Sequence, residues 1–232
     1  MSVRLAIHAE DPGDLLLAGL EDVGTSAGDP VVAIRLFRGP GDGGGLEIGA
    51  SGRRVATTGD GLWRRAPWPV NDALFDLGEP SPGDGAVVVG GDPAPRADIA
   101  GRLAARGLHT RERPRLTAAD LAEVAMVIYV PTTDPLPVDA MAVLAARRLL
   151  VTGRCEPAFG LRPSLDHLVA VNPDQAVLHA IVALAHWDAY AAIRAWGALS
   201  ARCHRASDVL PALAADLAPD DLTRAPAQAQ GG

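Results

Sequence analysis

Lysine is missing from this chain: all 21 basic residues are arginine. Schiff-base chemistry, pyridoxal phosphate attachment and a P-loop lysine are therefore excluded. Cysteine is nearly missing as well. Cys155 and Cys203 stand far apart, without a CxxC pair or a Cys/His ligand array, so reduced thiols are expected rather than a disulfide framework or a metal site. Positive charge is short too, with a net charge of -7 and a pI near 5.3. The arginines are scattered, which leaves no footprint for a phosphate backbone, and nucleic acid is not an expected partner. The opening MSVRLAIHAEDPGD offers neither a secretory apolar region nor an 18-residue apolar span. A cytoplasmic protein with no transmembrane segment is the expectation. What the chain does have is 232 residues that are 48% hydrophobic, enough to bury about 70% or more of the unfolded surface.

Apolar runs rich in β-branched residues at 3 to 9 (VRLAIHA) and 31 to 37 (VVAIRLF) flank a leucine-rich segment, Asp14 to Val23, at helical spacing. That pattern predicts a β-α-β unit. After the turn Gly39 to Gly45, Leu46 to Ile48 and Arg53 to Thr57 read as a small hairpin or edge strands. The domain reading is a reduced α/β segment over 1–65, a Pro/Gly-rich connector over 66–85, a Rossmann-like domain over 86–218 and a disordered tail over 219–232. Within 86–218 the expected strands are AVVVGG from Ala86, His109 to Arg113, Ala125 to Pro131, Leu149 to Gly153 and His167 to Val171. Helices are expected at Ala97 to Arg106, after a Thr117/Asp120 capping box, at Val138 to Ala146, after the Asn172-Pro173 cap, at Asp188 to Cys203 and at Ser207 to Leu217. Alternation of this kind predicts an α/β fold with one parallel sheet of about five strands.

In open parallel sheets ligands sit beyond the carboxyl ends of the strands. Here that rule selects Gly90, Gly91 and Arg96, then Thr132, Thr133 and Asp134, then Arg154, Glu156, Phe159 and Gly160 as candidate ligand-binding residues. The two glycines permit close backbone approach, and Arg96 either pairs with a diphosphate or is a solvated arginine on a tight strand-to-helix turn. His8 closes the first strand, either as a base entering a cleft or as a solvent-facing strand end. His179 and His186 share a helix face without a third ligand at helical spacing, so no metal is expected. Trp187, Tyr190 and Trp196 are expected to pack helices.

The segments PWPVNDALFDLG, VVVGGDP, YVPTTDPLPVDAMAVLAARRLLVT, EPAFGLRPS, HLVAVNPDQAVLHAIVAL and CHRASDVLPALAADL run in an order that resembles a known family. Residues 67 to 217 are similar to the C-terminal, donor-binding half of GT-B glycosyltransferases, in particular the spore-maturation-type group. The resemblance implies a nucleotide-sugar site and, if the protein is active, metal-independent glycosyl transfer with no cofactor. Of the family's Glu-x7-Glu pair, the first acid matches Asp134 and the second position holds Ala142; a family glycine matches Arg147. Loss of a ribose-binding carboxylate removes a charge-assisted hydrogen bond of about 1.5–3 kcal/mol. Arg147 either crowds the donor pocket or, with Arg148, forms an exposed helix end. Two functions follow as expectations: a glycosyltransferase-like protein of doubtful competence, or a non-catalytic scaffold that keeps a degenerate glycosyltransferase fold. The shortened N-terminal part leaves apolar surface, so a homo-oligomer or a protein partner is expected.

Overall fold

The computed structural model of the chain describes residues 4–9, 31–37, 45–50, 70–131, 139–154 and 161–209. Near the N-terminus, β1 (Arg4–Ala9), β2 (Val31–Phe37) and β3 (Gly45–Ala50) form a three-stranded sheet in that order. β1 and β2 are parallel, with Ile7 opposite Ile34, and β2 and β3 are antiparallel, with Ile34 opposite Ile48. Parallel neighbours need a crossover rather than a hairpin, as the β-α-β reading requires. The expected helix at Asp14 to Val23 and the strand at Arg53 to Thr57 lie outside the described residues. Leu46 to Ile48 pairs back onto β2, at the sheet edge.

The second sheet is α/β and Rossmann-like. It comprises β4 (Ala86–Val89), β5 (Thr110–Arg113), β6 (Met126–Tyr129), β7 (Leu149–Thr152) and β8 (Leu168–Val169), in the order β5-β4-β6-β7-β8. Every pairing is parallel. The helices are α1 (Pro93–Ala104), α2 (Ala118–Glu123), α3 (Ala140–Ala145), α4 (Pro173–Ala185) and α5 (Ala191–Ala201). β4, β6 and β7 are buried along their whole length. Unbroken apolar runs form such strands because both faces of the sheet are covered. The pleat sends Val88, Met126, Ile128, Leu149 and Val151 into one core with Ile99 and Leu103 of α1 and Val177 and Leu184 of α4. Val87, Val127 and Leu150, one residue out of phase, are equally inaccessible and face the other side. All six residues of α3 are buried, and α5 packs on α3. That approach needs Gly197, where a Cβ would stand 2.7 Å from Leu144 Cδ2 and 2.7 Å from the Asp166 carbonyl oxygen. Each large aliphatic side chain buried in these layers contributes roughly 1.5–3 kcal/mol.

Caps define the helix starts. Thr117 Oγ1 accepts from the Asp120 N–H while Asp120 Oδ2 accepts from Thr117 N–H at 3.0 Å, a reciprocal capping box. Asn172 Oδ1 accepts from Gln175 N–H at 2.9 Å, and Pro173 opens α4 without losing a needed donor. α1 begins at Pro93, four residues before the expected Ala97, because prolines are tolerated where the first-turn N–H groups have no helical partner. The part of the expected connector that is described, 70–85, is tied to the domain. Val70 N–H donates to the His204 carbonyl at 2.7 Å, Val70 and Leu74 are buried, and 3-10 turns form at Asp72–Asp76 and Pro82–Asp84. Among the described residues no single helix is long and apolar enough to cross a membrane; α4 and the helical stretch Trp187–His204 pass that test only as a pair bent by 111°.

Candidate functional site

The strand order creates one topological switch point. From β4 the chain leaves through α1 to β5, then crosses back to β6 on the other side of β4, so the connections after β4 and β6 diverge. A crevice beyond the carboxyl ends of those two strands is the position where such sheets receive ligands. Gly90 and Gly91 lie there, after β4, and Val130 and Pro131 follow β6. Arg154 stands exposed at the same edge, beyond β7. Thr132, Thr133, Asp134, Glu156, Phe159 and Gly160 lie outside the described residues.

The turn after β4 is built around its own packing. Gly90 and Gly91 have φ of 73° and 61°, a left-handed pair that a side chain would strain. At Gly91 a Cβ would sit 2.9 Å from Val130 Cβ, so the small residue serves contact with the neighbouring strand end. Arg96 turns back onto this loop, and its Nη1 donates to the carbonyls of both Gly90 and Gly91 at 3.3 Å. Of the two readings open for Arg96, the described contacts are those of a strand-to-helix turn. The first turn of α1 is poor in anion donors as well. Pro93 and Pro95 carry no N–H, and Asp92 at the cap makes no side-chain bond to the helix and brings a carboxylate to the end that would attract anions.

Ala142 and Arg147 occupy places other than a donor crevice. Ala142 is wholly buried in the middle of α3. Arg147 follows the carboxyl end of α3, two residues before β7 begins, which puts it at the amino edge of the sheet. Its φ is 57°, its N–H donates to the Leu144 carbonyl at 2.9 Å, and the next N–H, of Arg148, donates to the Val143 carbonyl at 3.1 Å. That pair of bonds is a Schellman cap, whose left-handed position favours glycine. Of the two readings open for Arg147, its described place is a helix end, where its side chain pairs with Glu79 at 2.6 Å. Arg148, read as part of an exposed helix end, is instead buried. Its Nε donates to the Leu121 carbonyl at 2.6 Å and its Nη1 to the Gly78 carbonyl at 2.8 Å, while burial lowers its pKa without discharging an arginine.

The loop before β8 holds a second polar knot that the sequence reading did not single out. Asp166, buried, accepts from the backbone N–H of Arg162 at 2.7 Å, from Arg162 Nη2 at 3.1 Å and from Ser200 Oγ at 3.1 Å. Burial alone would raise this carboxyl, but the Arg162 and Ser200 hydrogen bonds prevail and hold it below its ordinary value. Beside it, burial lowers the His167 imidazole against the opposing pull of Asp166, and His167 Nδ1 is buried without a partner. Both residues are near the start of β8, away from the switch point.

The remaining candidates divide. His8 belongs to β1, with Arg35 opposite it on β2. His179 Nε2 lies 3.1 Å from the Val169 carbonyl and must donate there, since a carbonyl only accepts. No three His, Cys, Asp or Glu side chains among the described residues are grouped to hold a metal ion. Trp187 is a core residue under the Arg194 guanidinium at 3.9 Å, and Tyr190 packs on the same core. Trp196, by contrast, is 46% exposed with Arg162 at 5.3 Å from its ring. Compared with known proteins, the chain matches no protein-family model and no curated protein sequence.

Proposed function

We propose that this chain is a non-catalytic interaction protein carried on a glycosyltransferase-like Rossmann sheet, with a second copy or another protein as its partner. The observation that supports this reading most is the helix start at the switch point: Pro93 and Pro95 carry no N–H, Asp92 brings a carboxylate to the cap, and Arg96 Nη1 is turned back onto the Gly90 and Gly91 carbonyls while its Nε is buried without a partner. Ala142, buried where the resemblance would have a ribose-binding glutamate, adds to it. Cytoplasmic residence belongs to the same proposal, since the free Cys203 thiol is exposed and suits a reducing compartment.

The second reading, nucleotide-sugar binding with metal-independent glycosyl transfer, draws on the glycine pair and Arg154 at the carboxyl edge. Thermal-shift screening against uridine, guanosine, adenosine and thymidine diphosphate sugars separates the two. A ligand at a hundred times its Kd adds about 2.7 kcal/mol of stability, well within detection. Silence across the panel is expected. Tight binding that Asp134→Ala abolishes would restore the transferase reading and refute the proposal.

A further inference from the structure

A cleft of about 600 Å³ is lined by the end of α3, the turn at Asp72–Asp76, α5 and the residues that follow it, with Arg147 marking the amino edge of the sheet. Its apolar lining is mostly alanine, with Leu199 and Phe75, and its polar lining is arginine: Arg147, Arg194, Arg202 and Arg205, with Glu79 as the single carboxylate among the lining residues. In a chain of net charge -7 this concentration of one sign is a local reversal. Glu79 is engaged by Arg147. Arg205 lies over the Phe75 ring at 4.4 Å, and Arg194 donates through Nη1 to the Trp187 carbonyl while its Nε is buried with no partner. Arg202 is exposed.

We infer that this cleft binds a small organic molecule bearing a phosphate or diphosphate group. Guanidinium groups present paired N–H donors that match the oxygens of such anions, and several around one concavity repel one another until an anion enters. A volume of this size suits a small ligand rather than a flat protein surface. The Phe75 ring and the alanines leave an apolar wall for the organic body of the molecule. This site is independent of the switch point, so it stands whether or not nucleotide sugars bind at the other edge.

The test is calorimetric titration of the full chain with sodium pyrophosphate and, separately, with inorganic phosphate and an oligoglutamate peptide, all at matched ionic strength. Saturable binding of pyrophosphate is expected, weakened about tenfold or more in Arg202→Gln, the loss of one charge-assisted contact. Arg205→Gln should weaken it further, and Arg96→Gln at the opposite edge should leave it unchanged. Thermal midpoints without ligand control for folding; if Arg205→Gln proves unstable, the exposed Arg202→Gln decides alone. No saturable binding of either phosphate at millimolar concentration would overturn the inference. So would binding that survives Arg202→Gln, binding lost in Arg96→Gln, or binding of the peptide alone, which would assign the cleft to an acidic protein segment.

Discussion

The two edges of the parallel sheet use arginine in opposite ways. At the carboxyl edge Arg96 closes on the carbonyls of the turn it follows, and the adjoining helix start has lost donors to Pro93 and Pro95. At the amino edge four arginines border one concavity, where Arg147 forms an ion pair with Glu79, and Glu79 and Asp188 act on Arg194. The position where open sheets ordinarily receive ligands thus holds one arginine turned onto its own loop, whereas the larger gathering of arginines lies at the other edge. A topological switch point marks where a crevice can form; whether it recognises anything depends on which polar groups remain unspent there.

The sharpest way to break this contrast is to place an acid at position 142, where the glycosyltransferase resemblance would put one. Ala142→Glu should cost about 3–5 kcal/mol, because the carboxylate would enter a wholly buried helix face without a partner. Urea denaturation should show the midpoint falling steeply. A variant that stays as stable as the parent and gains affinity for nucleotide sugars would mean that α3 can open toward the crevice, and the difference between the edges would collapse.

Next in size is Arg148→Met, which tests how far the amino edge depends on buried arginine. The side chain volume is roughly kept, but the Leu121 and Gly78 carbonyls lose their donor. A loss of about 2–4 kcal/mol is expected, from two acceptors at about 1–3 kcal/mol each with partial recovery through water. A loss below 1 kcal/mol would show that the residue is held for its length rather than its hydrogen bonds.

Much of the fold could be read from the chain, and the reasons are local. Val87 to Val89, Met126 to Ile128 and Leu149 to Val151 are apolar throughout because both faces of the sheet are covered, and the Thr117 and Asn172 caps mark helix starts through side chains close in sequence. Gly90, Gly91 and Arg96 share a place after a strand that the sequence displays, whereas the hydrogen bonds from Arg96 to the two carbonyls are legible only in the structure. The arginine cleft left no trace. Its members come from residues 147, 194, 202 and 205, and only the packing of α5 on α3 brings them to one surface. Arg147 stays open between a pocket and a helix end in the sequence, because a left-handed cap is a property of the backbone that one sequence does not display; the structure has it at the helix end.

The knot before β8 supplies a pH test. Asp166 and His167 both have folded-state values below their ordinary ones. For each, the unfolded chain binds protons first as pH falls, so stability is fully present above the unfolded value and declines below it. The histidine contribution should fade as pH drops from about 6.5, and the carboxylate contribution should fade below about 3.8. Denaturation midpoints followed from pH 8 downward should show the first decline shrink in His167→Gln. A profile unchanged by that substitution would mean that the imidazole is solvated rather than buried.

The smallest expected effect is the most specific to the comparison, because it acts on Arg147, whose two open readings are a ligand crevice and a helix end, and which follows α3 at the amino edge. Arg147→Gly should be near neutral, with a net gain of a few tenths of a kcal/mol, about 0.3, from opposing terms. A left-handed conformation costs a residue with a Cβ roughly 1–2 kcal/mol, which glycine avoids. Against this stand the greater freedom of glycine when unfolded and the loss of an ion pair with the exposed Glu79, the latter worth at most about 1 kcal/mol. The sign is what matters. Glu79→Gln provides the control, since it removes the ion pair but leaves the strained backbone, and it should be neutral or slightly destabilising. If Arg147→Gly destabilises by more than Glu79→Gln does, the guanidinium contributes more than the backbone strain costs, and the Schellman cap is not what selects the residue here.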